Sequence, residues 1–263
     1  MKKFTFTDPL YMAFYAREIY RDVARYWRGA GLLYLLSLAA LCTIPGMVKL
    51  HSQINAFVVD EAPAYVKQLP TLTISQGILS VPENRPYIIQ DPVTSERVLI
   101  VDTSGQFQTL EQAKTKVLVT KSRIIVQTGA DPVAVQLSQF DDVTLDNRQM
   151  FELLEFAGEW FGLAFYPIAL AMNYAFRIVQ VLIYAFVAMA YGRMLKIALG
   201  FGAAMRLTAV ALTPMIIAHT LLTFFDHQVP FLWAITFGLS VGYIFFGVRA
   251  LAEAPSQGAP RQE

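Results

Sequence analysis

Between Phe161 and Tyr191 the chain runs for 31 residues with one charged side chain, Arg177, flanked by Asn173 and Gln180. As a helix rising 1.5 Å per residue, such a run reaches about 46 Å, more than the roughly 30 Å of a bilayer's hydrocarbon core. Composition agrees with a membrane setting: 55% of residues are hydrophobic and 16% charged, with a mean hydropathy of +0.44. Soluble domains carry charge on roughly a quarter of their residues. The run divides the chain into unlike halves, with one apolar segment and a polar domain before it and two apolar segments after it.

Gly29 to Val48 contains no charged residue and is long enough for a first span. Bulky Leu41 precedes Cys42 where lipoprotein processing requires a small residue, and a long structured segment precedes the apolar run, so the reading is an uncleaved signal anchor. Cys42 is the sole cysteine, which excludes an internal disulfide and any multi-cysteine metal site. Leu207 to Phe225 and Val229 to Val248 complete four spans, joined by the polar turn Asp226-His227-Gln228. Pro214 is expected to kink the third, and Gly238 with Gly242 in the fourth forms a G-x-x-x-G pair that would let another helix pack closely.

Orientation follows from the basic residues beside the spans. Residues 1–28 hold six Lys or Arg against three acids, and the only charges in the 192–206 loop are Arg193, Lys196 and Arg206. Residues 49–155 carry nine basic and thirteen acidic side chains. Both termini are therefore expected on the inner, cytoplasmic side of the membrane. The expected organisation is an α+β membrane protein, a four-helix transmembrane bundle with an extracytoplasmic β-rich domain inserted between helices 1 and 2. Its parts are a cytoplasmic amphipathic helix (1–28), transmembrane helix 1 (29–48), the β-rich domain (49–155), an interfacial helix with transmembrane helix 2 (156–191), a cytoplasmic loop (192–206), helices 3 (207–225) and 4 (229–248), and a cytoplasmic tail (249–263).

Asp8-Pro9 predicts a helix start with an Asp N-cap. At about 100° per residue, Arg17, Arg21, Arg25 and Arg28 form one basic stripe, and Met12, Tyr15, Ile19, Val23, Tyr26 and Trp27 lie opposite. The pattern reads as a helix on an anionic leaflet, against the alternative of an arginine face on a helix packed into the protein's own core. Within the polar domain, Ile54 to Leu69 reads as helical. Alternating β-branched runs then predict strands at Leu72–Ser75, Ile78–Val81, Tyr87–Gln90, Arg97–Val101, Lys116–Thr120, Arg123–Thr128 and Val133–Leu137. Leu110 to Lys114 reads as a short helix, and Asp146 as the cap of a helix that enters the second span.

Several blocks together resemble a bacterial domain-of-unknown-function family, the one numbered 1189. They are Phe4-Thr5-Phe6 with Pro9, Leu69-Pro70-Thr71-Leu72-Thr73-Ile74 through Gly77-Ile78-Leu79-Ser80, Ile100-Val101-Asp102-Thr103-Ser104-Gly105, and the glycine-bearing loop leading to Pro214. Some members of that family are labelled maltodextrin utilization protein, and its membrane part is similar to Yip-type proteins. The resemblance implies a polytopic bacterial inner-membrane protein and carries no catalytic residues across.

Catalytic and metal-binding signatures are missing: there is no H-E-x-x-H, P-loop or G-x-S-x-G pattern, and His51, His219 and His227 are scattered. Asp141, Asp142 and Asp146 lack the spacing of a calcium loop and read as a solvated turn leading into a helix cap. Gly200 and Gly202 follow no strand, which argues against a phosphate loop. No cofactor is expected, and the charge distribution resembles no nucleic-acid surface. What remains is Arg177. Counted from Tyr191 it sits about 21 Å into a core of about 30 Å. One reading is an outer-leaflet anchor that reaches headgroups or pairs with Asp226 or Glu159. The other joins Arg177, Asn173, Gln180 and His219 in a polar crevice for an anionic headgroup or substrate. The leading expectation is a non-enzymatic membrane scaffold or accessory subunit whose outer domain binds an envelope or transporter protein, with membrane lipids around its spans. The alternative is a lipid-handling or small-solute transport protein that uses the cluster around Arg177.

Overall fold

The computed structural model describes residues 4–129, 131–225 and 229–253. The expected turn Asp226-His227-Gln228 and most of the 249–263 tail lie outside the described residues. The chain forms two compact units, one from residues 1–50 and 162–263 and one from 51–161. Among the described residues, Ala30–Val66, Asn147–Met194, Phe201–Phe224 and Leu232–Ala252 are long and apolar enough to cross a membrane. Each extends past its expected span at one end or both, because hydropathy marks only the lipid-compatible part of a helix while the backbone ladder continues into polar sequence.

In the helical unit, α1 (Pro9–Met12) and α2 (Arg17–Tyr26) replace the single helix expected from Pro9. Asp8 does not cap with its side chain. Its carboxylate instead accepts from the Thr5 N–H at 2.7 Å and the Tyr11 hydroxyl at 3.2 Å. The break falls at Ala16, whose backbone is extended, and the Tyr20 hydroxyl donates to the Ala13 carbonyl at 2.5 Å. Then come α3 (Ala30–Ala56), α4 (Ala62–Val66), α5 (Leu110–Ala113), α6 (Asn147–Met194), α7 (Phe201–Ala211), α8 (Thr213–Phe224) and α9 (Leu232–Ala252). Pro214 lacks the N–H that a continuous helix would donate, and the stretch Phe201–Phe224 is divided at Leu212 into α7 and α8.

α2 packs on α7 and α9. Ile19, Tyr20, Val23 and Trp27 join Leu207, Val210, Ile244 and Val248 in one fully or nearly fully buried core. Phe6 stacks on Trp27 with centroids 6.3 Å apart and meets Tyr34 edge-on at 5.9 Å, which gives the Phe4-Thr5-Phe6 block a packing role. Gly247 admits this packing: a Cβ there would lie 2.7 Å from Tyr20 Cδ1 and 3.2 Å from Leu207 Cδ2. Arg206 Nη2 donates to the Ala24 carbonyl and Arg21 Nε to the Ala250 carbonyl, each at 2.6 Å. These carbonyls belong to the last turns of α2 and α9, where intrahelical donors run out and cations are favoured. A buried hydrogen bond of 2.8 Å joins Tyr34 Oη and Thr213 Oγ1, tying α3 to α8.

In the second unit, a π-helical turn, Phe57–Glu61, separates α3 from α4, and Ala62 N–H bonds to Phe57 O across it. Pro63 offers no donor to the next rung, which leaves the register free to widen there. Among the described residues eight strands follow: β1 (Leu72–Ser75), β2 (Ile78–Ser80), β3 (Tyr87–Gln90), β4 (Arg97–Asp102), β5 (Val117–Thr120), β6 (Arg123–Thr128), β7 (Asp131–Gln136) and β8 (Val143–Leu145). They form a three-stranded sheet in the order β2-β1-β8 and a five-stranded sheet in the order β3-β4-β5-β6-β7. Among the described residues only β4 and β5 pair in parallel, and α5 lies in the crossover between them. Alternation along β4 sends Ile100 to one side with Leu110 and Leu118, and Val101 to the other with Leu79, Ile89 and Leu137, so both faces of the larger sheet are covered.

β8 was not foreseen, because three residues are too few to show a period. Its position depends on Asp142, whose carboxylate accepts from Ser75 Oγ at 3.0 Å and from Gln76 N–H at 2.6 Å. Gln76 and Gly77 have φ of 50° and 75°, as a tight hairpin between β1 and β2 requires. Asp146 caps α6 reciprocally, since Gln149 N–H donates to Asp146 Oδ1 at 2.7 Å and Asp146 N–H to Gln149 Oε1 at 3.1 Å.

Candidate functional site

Three helices of the first unit each turn one polar face toward a common crevice of about 230 Å³. α3 contributes Cys42, Gly46 and Lys49, α6 contributes Asn173 and Arg177, and α8 contributes His219, Thr220, Thr223 and Phe224. The spacings of four, three and one residues keep each group on one side of its helix. Gly46 opens the space, since a Cβ there would meet nothing within 4 Å.

Arg177 forms the floor, at 8% exposure. Its Nη1 donates to Gln180 Oε1 at 2.8 Å, and the guanidinium carbon lies 5.7 Å from the Phe176 ring centroid. Nε is buried and has no partner among the described residues. Among the described residues no carboxylate lines the crevice, and no ion pair joins Arg177 to a described acid. The Gln180 bond holds the guanidinium along α6, one turn from its own Cα.

The residues singled out in sequence are thus partly brought together. Arg177, Asn173 and His219 share the crevice, and Gln180 supports Arg177 from the side. Asp226 lies outside the described residues. Asn173 Nδ2 donates to Thr43 Oγ1 at 2.9 Å, and Thr43 in turn donates to the Ala39 carbonyl at 2.7 Å, so the Asn is fixed by a buried chain of bonds on α3. Cys42, Gly46, Lys49, Thr220, Thr223 and Phe224 were not foreseen. Their signal was available as polar or small residues three or four apart near span ends, but one sequence does not say which helix faces meet.

The basic stripe has a different setting from a free amphipathic helix. Arg17 pairs with Glu253 and lies over the Phe246 ring at 5.6 Å, Arg21 caps α9, and the opposite apolar face is filled by α7 and α9. The apolar side expected to meet lipid is therefore occupied by the protein, although Tyr15 and Tyr26 remain exposed. Arg25 and Arg28 are exposed. Gly238 and Gly242 likewise face open space, with nothing within 4 Å of a Cβ on either, so no described helix packs at this pair. The close approach is at Gly247.

In the β-rich unit, the Asp102–Gly105 turn is self-contained. Asp102 accepts from Ser104 N–H at 2.8 Å, Ser104 Oγ at 2.6 Å, Gly105 N–H at 3.2 Å and Phe107 N–H at 2.6 Å. Burial pushes its carboxyl upward, but these bonds outweigh it and hold the group below the usual carboxylate range. Asp91 is held lower still, to about 2, by the Thr94 N–H, the Tyr65 hydroxyl and the Val93 N–H. Asp141, Asp142 and Asp146 do not converge on a cation: Asp142 and Asp146 serve a hairpin and a helix cap. No group of three or more His, Cys, Asp or Glu among the described residues is arranged to hold a metal.

The pattern defining the family described as "Protein of unknown function (DUF1189)" matches residues 8–248, and the chain belongs to that family. No curated protein and no solved structure matches it.

Proposed function

We propose that this family member is a non-enzymatic polytopic membrane protein that binds an anionic group, a lipid headgroup or a small solute, in the crevice around Arg177. The observation that carries the reading is a buried guanidinium with one hydrogen bond and no carboxylate partner among the described residues, in a crevice that Lys49 and His219 also line. Removing a cation from water costs several kcal/mol, so such a group persists where a partner of opposite charge compensates it. This observation supports lipid handling or solute transport, which we put before the scaffold role that sequence alone favoured. Arg177→Leu tests it. Function in cells should be lost while the protein's abundance in the membrane stays normal, and full activity at normal abundance would refute the reading.

The scaffold reading keeps one supporting observation. β7 ends the five-stranded sheet with one neighbour, β6, and Val133 on it is 52% exposed, a surface on which a partner could add a strand. Recovery of no stoichiometric protein after mild crosslinking would count against it. In both readings the protein lies in a bacterial inner membrane with both termini cytoplasmic and the β-rich unit outside. Reporters joined after Asp131 and at Gly200 should then report periplasm and cytoplasm respectively, and the reverse would overturn the orientation.

A further inference from the structure

We infer that the cleft between the first turns of α3 and α7 seats an anionic phospholipid, with its headgroup phosphate at Arg28 and Arg206 and part of one acyl chain against Leu32 and Met205. The cleft has a volume of about 160 Å³ and lies between Gly29, Gly31 and Leu32 on one side and Gly202, Met205 and Arg206 on the other. It is separate from the crevice around Arg177, since along α3 ten residues, about 15 Å of helix, divide Leu32 from Cys42. With both termini cytoplasmic, as proposed above, this end of the bundle meets the cytoplasmic leaflet.

Glycines open the cleft and arginines give it a sign. The Arg206 stem runs past Gly31, where a Cβ would lie 3.5 Å from Arg206 Cα and Cγ, and its Nη1 reaches Gly202, where a Cβ would lie 3.6 Å away. Nη2 donates to the Ala24 carbonyl, whereas Nη1 has no acceptor among the described residues. Arg28 is exposed, enters no ion pair among the described residues and stands near enough to repel Arg206. No described acid lines the cleft, and Asp22, the nearest acid in sequence, is buried and accepts from Trp27 Nε1 at 3.0 Å. An anion shared between the two guanidiniums offsets their repulsion.

The apolar walls point to a lipid as the source of that anion. Leu32 lines the cleft and, with its neighbour Leu33, is exposed on a helix long and apolar enough to cross a membrane, so the cleft opens where acyl chains run. Its volume is several times the roughly 30 Å³ of a water and below the roughly 300–1,000 Å³ of sites that enclose drug-sized ligands. That suits one stretch of chain, with the rest of the lipid left in the bilayer. Phosphatidylcholine carries its own cation beside the phosphate, whereas the charge of phosphatidylglycerol is unbalanced, and each near-surface cation favours the anionic lipid about fivefold.

The test uses the full-length protein in phosphatidylcholine bilayers that carry a trace of phosphatidylglycerol or of phosphatidylcholine bearing a photoreactive group on the acyl chain. After illumination, label on Leu32 and Met205 is read by peptide mass spectrometry against label on Ile183 and Phe186, which are exposed on α6 and report bulk lipid. Against that reference the phosphatidylglycerol probe should label the cleft at least about tenfold more than the phosphatidylcholine probe. Arg28→Gln changes an exposed side chain and should lower the enrichment about fivefold. Gly202→Leu, whose Cβ makes only an ordinary contact, fills the cleft and should bring label at Met205 down to the reference level with both arginines in place. Arg177→Leu should leave the enrichment unchanged, so failure of the Arg177 reading and failure of this site register separately. Equal labelling by the two probes, or an Arg28→Gln enrichment within about twofold of the parent, overturns the site. So does undiminished label at Met205 in Gly202→Leu, or enrichment that vanishes in Arg177→Leu.

Discussion

Substitution of single glycines in α9 separates real packing from a pattern that only looks like packing. At Gly247 a Cβ would lie 2.7 Å from Tyr20 Cδ1 and 3.1 Å from Cε1. Tyr20 is fully buried, its ring meets Phe246 at 5.7 Å, and its hydroxyl is tied to the Ala13 carbonyl, so the ring has no free direction in which to move. Overpacking of this kind costs about 1–3 kcal/mol, and the anchored ring places Gly247→Ala in the upper half of that range. Better helix propensity returns about 0.5–1 kcal/mol, leaving a net loss of about 1–2.5 kcal/mol. Gly238→Ala and Gly242→Ala meet nothing within 4 Å and keep only the propensity gain. For a chain of this size about 1 kcal/mol moves the midpoint by roughly 2–4 °C, so the two kinds of variant should shift in opposite directions. The assay is thermal unfolding of the full chain in detergent. Loss of stability at Gly238 or Gly242 comparable with that at Gly247, or a neutral Gly247→Ala, would refute the assignment of α2 and α9 as the tight contact.

Two further outcomes follow from the β-rich unit. Asp91 titrates near 2 folded against 3.8 unperturbed, so its stabilising effect is present above about pH 4 and is lost as pH falls toward about 2. Protection of the Val93 and Thr94 amides, measured as the exchange rate relative to the intrinsic rate at each pH, should fall over that window in the parent chain and show no such step in Asp91→Asn; an unchanged protection profile in both would exclude the carboxylate as their acceptor. Gly77→Ala places a Cβ 2.7 Å from Ser138 Cα at a φ of 75°, a backbone contact that cannot yield, and should destabilise by more than about 2 kcal/mol. Chemical denaturation is the check, and a loss under about 0.5 kcal/mol would contradict the hairpin geometry.

The site was legible only in part, for reasons visible in single residues. Arg177 stood out because a charge in a long apolar run is costly wherever it lies, and Asn173 shared its face at four residues' spacing. Lys49 sat beyond the expected end of its span and was assigned to the polar domain, since hydropathy stops where the helix does not. The arginines of α2 were legible as a stripe, but a period of 3.6 is the same whether the apolar side meets lipid or the helices α7 and α9.

Local chemistry therefore determined what depends on neighbours in sequence: four apolar helices, the β-branched strands, the Asp146 cap and the turn at Gln76-Gly77. Tertiary structure alone decided which faces meet. It brought β8 to β1 through Asp142, turned Arg177 inward beside Cys42 and His219, and moved the close helix contact from Gly238 and Gly242 to Gly247. The reason is physical. Periodicity and capping are set within a few residues along the chain, whereas the partner of a buried side chain is set by the combined packing of elements that can lie more than a hundred residues apart in sequence.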